Sequence, residues 1–99
     1  MPRILFPALV ILSTAPTLAA ADSAENCAAT SAIVAEAVSL RADGATQAAA
    51  TRTLGAADID GKYLPAVQPL VEWVYTLPED QLTAAAPTAF EAACLKQAG

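Results

Sequence analysis

The chain has 99 residues and a formal net charge of −5; 56% of its residues are hydrophobic, 15% are charged and none is histidine. That length allows one small domain. The acidic balance argues against a nucleic-acid partner, whose phosphates need clustered Lys and Arg, and the lack of imidazole excludes every mechanism that uses one as base, shuttle or metal ligand.

The first 21 residues have three parts. Arg3 and the amino terminus carry positive charge, Ile4 to Leu12 is an apolar run, and Thr17 to Ala21 is a tail of mostly small residues ending in Ala19-Ala20-Ala21 before Asp22. This layout predicts a cleaved secretory signal peptide over 1–21. A transmembrane anchor needs about 20 apolar residues, and Pro16 interrupts this run well short of that. The sequence directly after the head is not the Cys of a lipid anchor, since Cys27 follows Ala24-Glu25-Asn26. Removal of Arg3 with the head leaves four basic residues against ten acids in a single helical domain over 22–99. A periplasmic or secreted location is expected, with no transmembrane span.

An even cysteine count in a short exported chain reads as a disulfide, so Cys27 and Cys94 are expected to pair and tie the first helix to the last. Closing so long a loop contributes about 4 kcal/mol in the chain-entropy view. That matters in a chain with 26 alanines and few large apolar side chains, because small domains bury a modest share of their surface. A redox-active pair would be expected as C-x-x-C.

No stretch alternates polar and apolar residues as a strand would. In chain order, Asp22-x-x-Glu25 resembles a capping box opening a helix that runs to Ala42 and stops at Asp43-Gly44. Cys27, Thr30, Ile33, Val34, Ala37, Val38 and Leu40 share one arc of it, opposite Glu25, Glu36 and Asp43. Arg41 lies in the last turn, where its charge suits the helix dipole and its stem can lie along apolar surface. A short helix follows from Thr46 to Leu54, with Gly55 as its stop, then a loop over Ala56 to Gly61.

A third helical region runs from Tyr63 to Leu77. Pro65 and Pro69 suit a first turn rather than a helix middle, which predicts a turn at Pro65 and a helix from Pro69, or one kinked helix. Thr76-x-x-Glu79 and Thr88-x-x-Glu91 read as capping boxes for a short helix through Leu82 and for the last helix, which begins at Pro87 or Thr88. Phe90 lies one turn from Cys94 and is expected beside the disulfide. The sum is an all-α bundle of four to five short helices closed by one disulfide.

Motifs for chemistry are mostly missing. An EF-hand register on Asp58-Ile59-Asp60-Gly61 puts Ala56 at position one and Val67 at position twelve, so the segment is a turn. There is no phosphate loop, no zinc set and no base for a serine nucleophile. The carboxylates of Glu36 with Asp43, and of Glu79 with Asp80, lie near helix ends rather than in an apolar cleft. No catalytic residue, metal or cofactor is expected. The segment Val67 to Leu77 holds the single Trp and one of two Tyr. Its apolar arc is wider than a surface helix needs. Either this helix is central, packed on the first and last helices, or the edge formed by Val71, Trp73 and Tyr75 is exposed and contacts a partner.

Ala35-x-x-Val38-x-x-Arg41-x-x-Gly44 and Leu70-Val71-x-Trp73-Val74-Tyr75, between Cys27 and Cys94, resemble a loose group of small exported proteobacterial proteins of unknown function. The first motif is one residue shorter than the A-x-x-V-x-x-x-R-x-x-G of the group. The resemblance covers most of the chain after its head and implies no activity, ligand or catalytic residue. A looser likeness, without a diagnostic motif, links the chain to acid-activated periplasmic chaperones. The function expected is therefore a non-enzymatic interaction module contacting another envelope protein. The alternative is an acid- or stress-responsive holdase, since ten carboxylates neutralise as pH falls through about 4.

Overall fold

The computed structural model describes residues 18–98. Residues 1–17 of the expected export segment lie outside the described residues. Four α-helices follow one another: α1, Leu18–Ala42; α2, Gln47–Gly55; α3, Leu64–Val74; and α4, Ala85–Ala98. Single 3-10 turns at Gly61–Tyr63 and Glu79–Gln81 precede α3 and α4. No strand occurs among the described residues.

α1 passes through Asp22 without a break, so in the uncut chain Asp22-x-x-Glu25 sits inside a helix and caps nothing. Its end is as expected. Gly44 takes φ +96°, a conformation that costs a side-chain-bearing residue energy. The Ala45 N–H donates to the Leu40 carbonyl at 3.0 Å and the Gly44 N–H to the Arg41 carbonyl at 2.9 Å. This is a Schellman closure, and it turns the chain back at once. Thr46 then caps α2, its Oγ1 accepting from the Ala49 N–H at 3.1 Å.

Three later boundaries differ from expectation. α3 is the single-helix alternative, continuous with Pro65 in its first turn and Pro69 inside it, but it ends at Val74 and not at Leu77. Pro69 cannot donate to the Pro65 carbonyl, but both prolines are exposed, so water can satisfy that group. Thr76 does not open a capping box. Its hydroxyl donates backward to the Trp73 carbonyl at 2.6 Å, and Pro78 precedes the second 3-10 turn. α4 begins at Ala85, with Thr83 Oγ1 accepting from the Ala85 N–H at 3.2 Å. Thr88 is therefore inside the helix and donates to the Ala84 carbonyl four residues back, a common use of a mid-helix threonine.

The central helix is α1, not α3. It packs against α4, α3 and α2, and α3 packs more extensively on α2 than on α4. The core consists of Ile33, Val34, Ala37 and Val38 from α1, Ala50 and Leu54 from α2, Val67, Val71 and Val74 from α3, and Ala86 from α4. Alanine at 37, 50 and 86 lets the helix axes approach closely, at the cost of less apolar area per residue. Cys27 and Cys94 are joined, with Cα atoms 5.7 Å apart, and Cys27 is buried. The Ser31 hydroxyl, also buried, donates to the Pro87 carbonyl at 3.0 Å. The bridge and this hydrogen bond are two independent ties between α1 and α4.

Candidate functional site

Side chains on α3 settle which of its faces can meet a partner. Val71 is 0% exposed and Val74 likewise. Val71 is therefore a core residue and not part of a docking edge, because the α1 and α2 faces close over it. Tyr75 is half-buried, and its hydroxyl donates to the Ala45 carbonyl in the α1–α2 turn. Its polar end is thus committed inside the molecule. Trp73 differs. It is 38% exposed, and the Phe90 ring supports it from α4 with centroids 5.8 Å apart and planes tilted by 47°. Such a tilted pair is a favoured aromatic geometry. It is also the contact Phe90 makes with α3, in a position where the cysteine spacing suggested only packing near the bridge.

Trp73 and Leu77 lie four residues apart, on one side of the α3 exit. They form one wall of a groove of about 300 Å³. The other wall is Ala85, Ala86 and Ala89 of α4, and Asp80 and Gln81 of the 3-10 turn lie at its edge. Alanine at three successive contact points leaves the space that larger side chains would fill. No lysine or arginine lines the groove, and Glu79 and Asp80 give the adjoining turn two acids. Helical periodicity identified Trp73 and Leu77 as neighbours. Asp80 and Gln81 were missed, because the fold of the Pro78–Thr83 connection brings them there.

Arg41 has a role that its position on α1 did not reveal. Tyr63 Oη donates to Asn26 Oδ1 at 2.6 Å, joining the start of α3 to the first half of α1. Arg41 joins their ends, so α1 and α3 run parallel with both carbonyl termini at one end of the bundle. α3 has no basic residue in its last turn. Arg41 Nη1 donates to the Val74 carbonyl at 2.8 Å and to the Leu77 carbonyl at 2.6 Å. Its guanidinium carbon lies 5.5 Å from the Tyr75 ring centroid, within cation–π range. One cation thus serves the negative ends of two helix dipoles.

Asp60 is a capping residue, its Oδ1 accepting from the Lys62 N–H at 3.1 Å. Among the described residues no three His, Cys, Asp or Glu side chains come together as a metal site, and no helix is long and apolar enough to cross a membrane. Compared with protein-family models, curated proteins and solved structures, the chain matches none.

Proposed function

We propose that this chain is a non-enzymatic interaction module of the periplasm or extracellular space. Its docking surface is the Trp73 groove, and its partner is an apolar segment of an envelope protein flanked by basic residues. The observation that carries this reading is the exposed indole, held by Phe90 over an alanine-lined hollow with Asp80 at its rim. Interface hot spots are enriched in Trp packed in or beside pockets, and the acidic rim selects the charge of the partner. The Cys27–Cys94 bridge supports an oxidising compartment, as does the Arg3–Ala21 head.

The acid-responsive holdase draws less support. Among the described residues, the side chains that hydrogen-bond helix to helix belong to Asn26, Ser31, Arg41, Tyr63 and Tyr75. None of these is an aspartate or a glutamate, so acid has no such tie to cut. A photo-crosslinking residue at Gln81 tests the docking proposal. It is expected to trap a defined envelope protein, and Trp73→Ser or Asp80→Lys is expected to abolish the product while far-UV circular dichroism is unchanged. The same product from both variants, or from a probe at Gln68 on the exposed side of α3, would refute it.

A further inference from the structure

A second hollow, sharing no residue with the Trp73 groove, lies between α1, the last turn of α2 and the 56–60 loop. Its volume is about 410 Å³, within the range of about 300–1,000 Å³ that small-molecule sites occupy. The α1 wall is the stripe Ala29, Ala32, Ile33 and Glu36, spaced three and four residues apart so that all point one way. Alanine at 29 and 32 is what leaves the space, since a larger residue at either position would reach across to Leu54 or Ile59. The opposite wall is apolar too, with Leu54, Ala57 and Ile59.

The two charged side chains that line this hollow are both acidic. Glu36 closes one end of the α1 stripe, Asp60 stands on the loop, and no lysine or arginine is among the lining side chains. Lys62 stands beside the hollow, over the Tyr63 ring at 5.2 Å from its centroid and near enough to interact with Asp60, but is not part of the lining. Tyr63 contributes its ring, because its hydroxyl is already given to Asn26. An anionic ligand meets two lining carboxylates and no lining cation, whereas an apolar body with a cationic head finds both halves matched.

We propose that this hollow binds a small organic cation, an amine or ammonium with an apolar tail, with the tail against Ala29, Ala32 and Ile33 and the head between Glu36 and Asp60. The site is independent of the Trp73 groove and stands or falls without it.

The test uses three probes with one tail: n-octylammonium, 1-octanol and octanoate, each titrated into the folded chain and followed by backbone amide shifts. Octylammonium is expected to saturate, with shifts confined to residues 29–36 and 53–63 and none at the Trp73 indole. Octanol is expected to bind more weakly and octanoate weakest. Removing both charges with Glu36→Gln and Asp60→Asn, which keeps a capping side chain at 60, is expected to weaken octylammonium about fivefold to tenfold, the worth of one to two exposed ion pairs. Ala32→Leu, at an exposed position, is expected to fill the hollow and abolish binding of all three probes. Ala57→Leu serves the same purpose should Ala32→Leu disturb the helix. Equal affinity for octanoate and octylammonium, shifts centred on Trp73, retained binding in the filled variant, or no saturation by octylammonium each overturns the proposal.

Discussion

Replacing Arg41 by methionine isolates the shared cap on α1 and α3. Methionine keeps an unbranched stem along the apolar surface but has no donor for the Val74 and Leu77 carbonyls, which Arg41 reaches at 2.8 and 2.6 Å. A hydrogen bond to a charged group contributes about 1.5–3 kcal/mol. Arg41 is half-buried and water can reach the freed carbonyls, so the two bonds together are expected at the low end, about 2–3 kcal/mol. A domain of this size loses about 4–8 °C of melting temperature per kcal/mol, which puts Arg41→Met about 8–24 °C below the parent chain. Arg41→Lys places one compact charge where a forked donor stood and is expected to recover about half of the loss. Thermal unfolding followed at 222 nm reads both. Tyr75→Leu in each background then measures the cation–π share as a double-mutant cycle. If Arg41→Met melts within about 3 °C of the parent, less than 1 kcal/mol is at stake, and the C-terminus of α3 does not depend on α1 for its cap.

The double variant Cys27→Ser, Cys94→Ser is expected to lose about 4 kcal/mol and to be largely unfolded at 37 °C by circular dichroism; a fully helical, cooperatively melting variant would show that Ser31 and packing hold α4 unaided. The Trp73 near-UV signal is expected to persist from pH 7 to pH 3 without binding of a hydrophobic dye, because no helix-to-helix hydrogen bond described above ends on a carboxylate; loss of that signal with dye uptake would favour the holdase. Tyr63 holds the Lys62 ammonium above its ordinary 10.5 through charge and a hydrogen bond, aided by Glu25 and Asp60 and opposed by desolvation. An NMR titration of Lys62 is expected to move back toward 10.5 in Tyr63→Phe, and an unmoved titration would remove Tyr63 as the cause.

Local signals carried the helical outline. The Asp43-Gly44 stop works because one glycine at φ +96° closes α1 with hydrogen bonds made inside six consecutive residues. Thr46 caps α2 for the same reason, with its acceptor and donor three residues apart. The sequence pattern also placed the cysteines at the two ends that the bridge joins. Where two local solutions compete, the pattern misleads. Thr76 and Thr88 each have a glutamate three residues on, yet both hydroxyls satisfy a carbonyl behind them, because packing of α3 and α4 decides where those helices begin and end.

Periodicity likewise established that α3 has an apolar arc wider than a surface helix needs, but not what covers each part of it. That depends on α1, which lies between α4 and the α2–α3 pair. This arrangement buries Val71, turns the Tyr75 hydroxyl inward and leaves Trp73 at a groove edge. Arg41 shows the division most clearly. Its charge, its place in the last turn of α1 and its apolar stem can be read from the residues around it. Its partners lie 33 and 36 residues away on α3, and no short-range rule reaches that far. Backbone conformation and capping answer to neighbours along the chain, so the sequence alone determined the helices and the staple. Exposure, grooves and shared caps answer to neighbours in space, and they were decided only when α1 and α3 came together side by side and parallel.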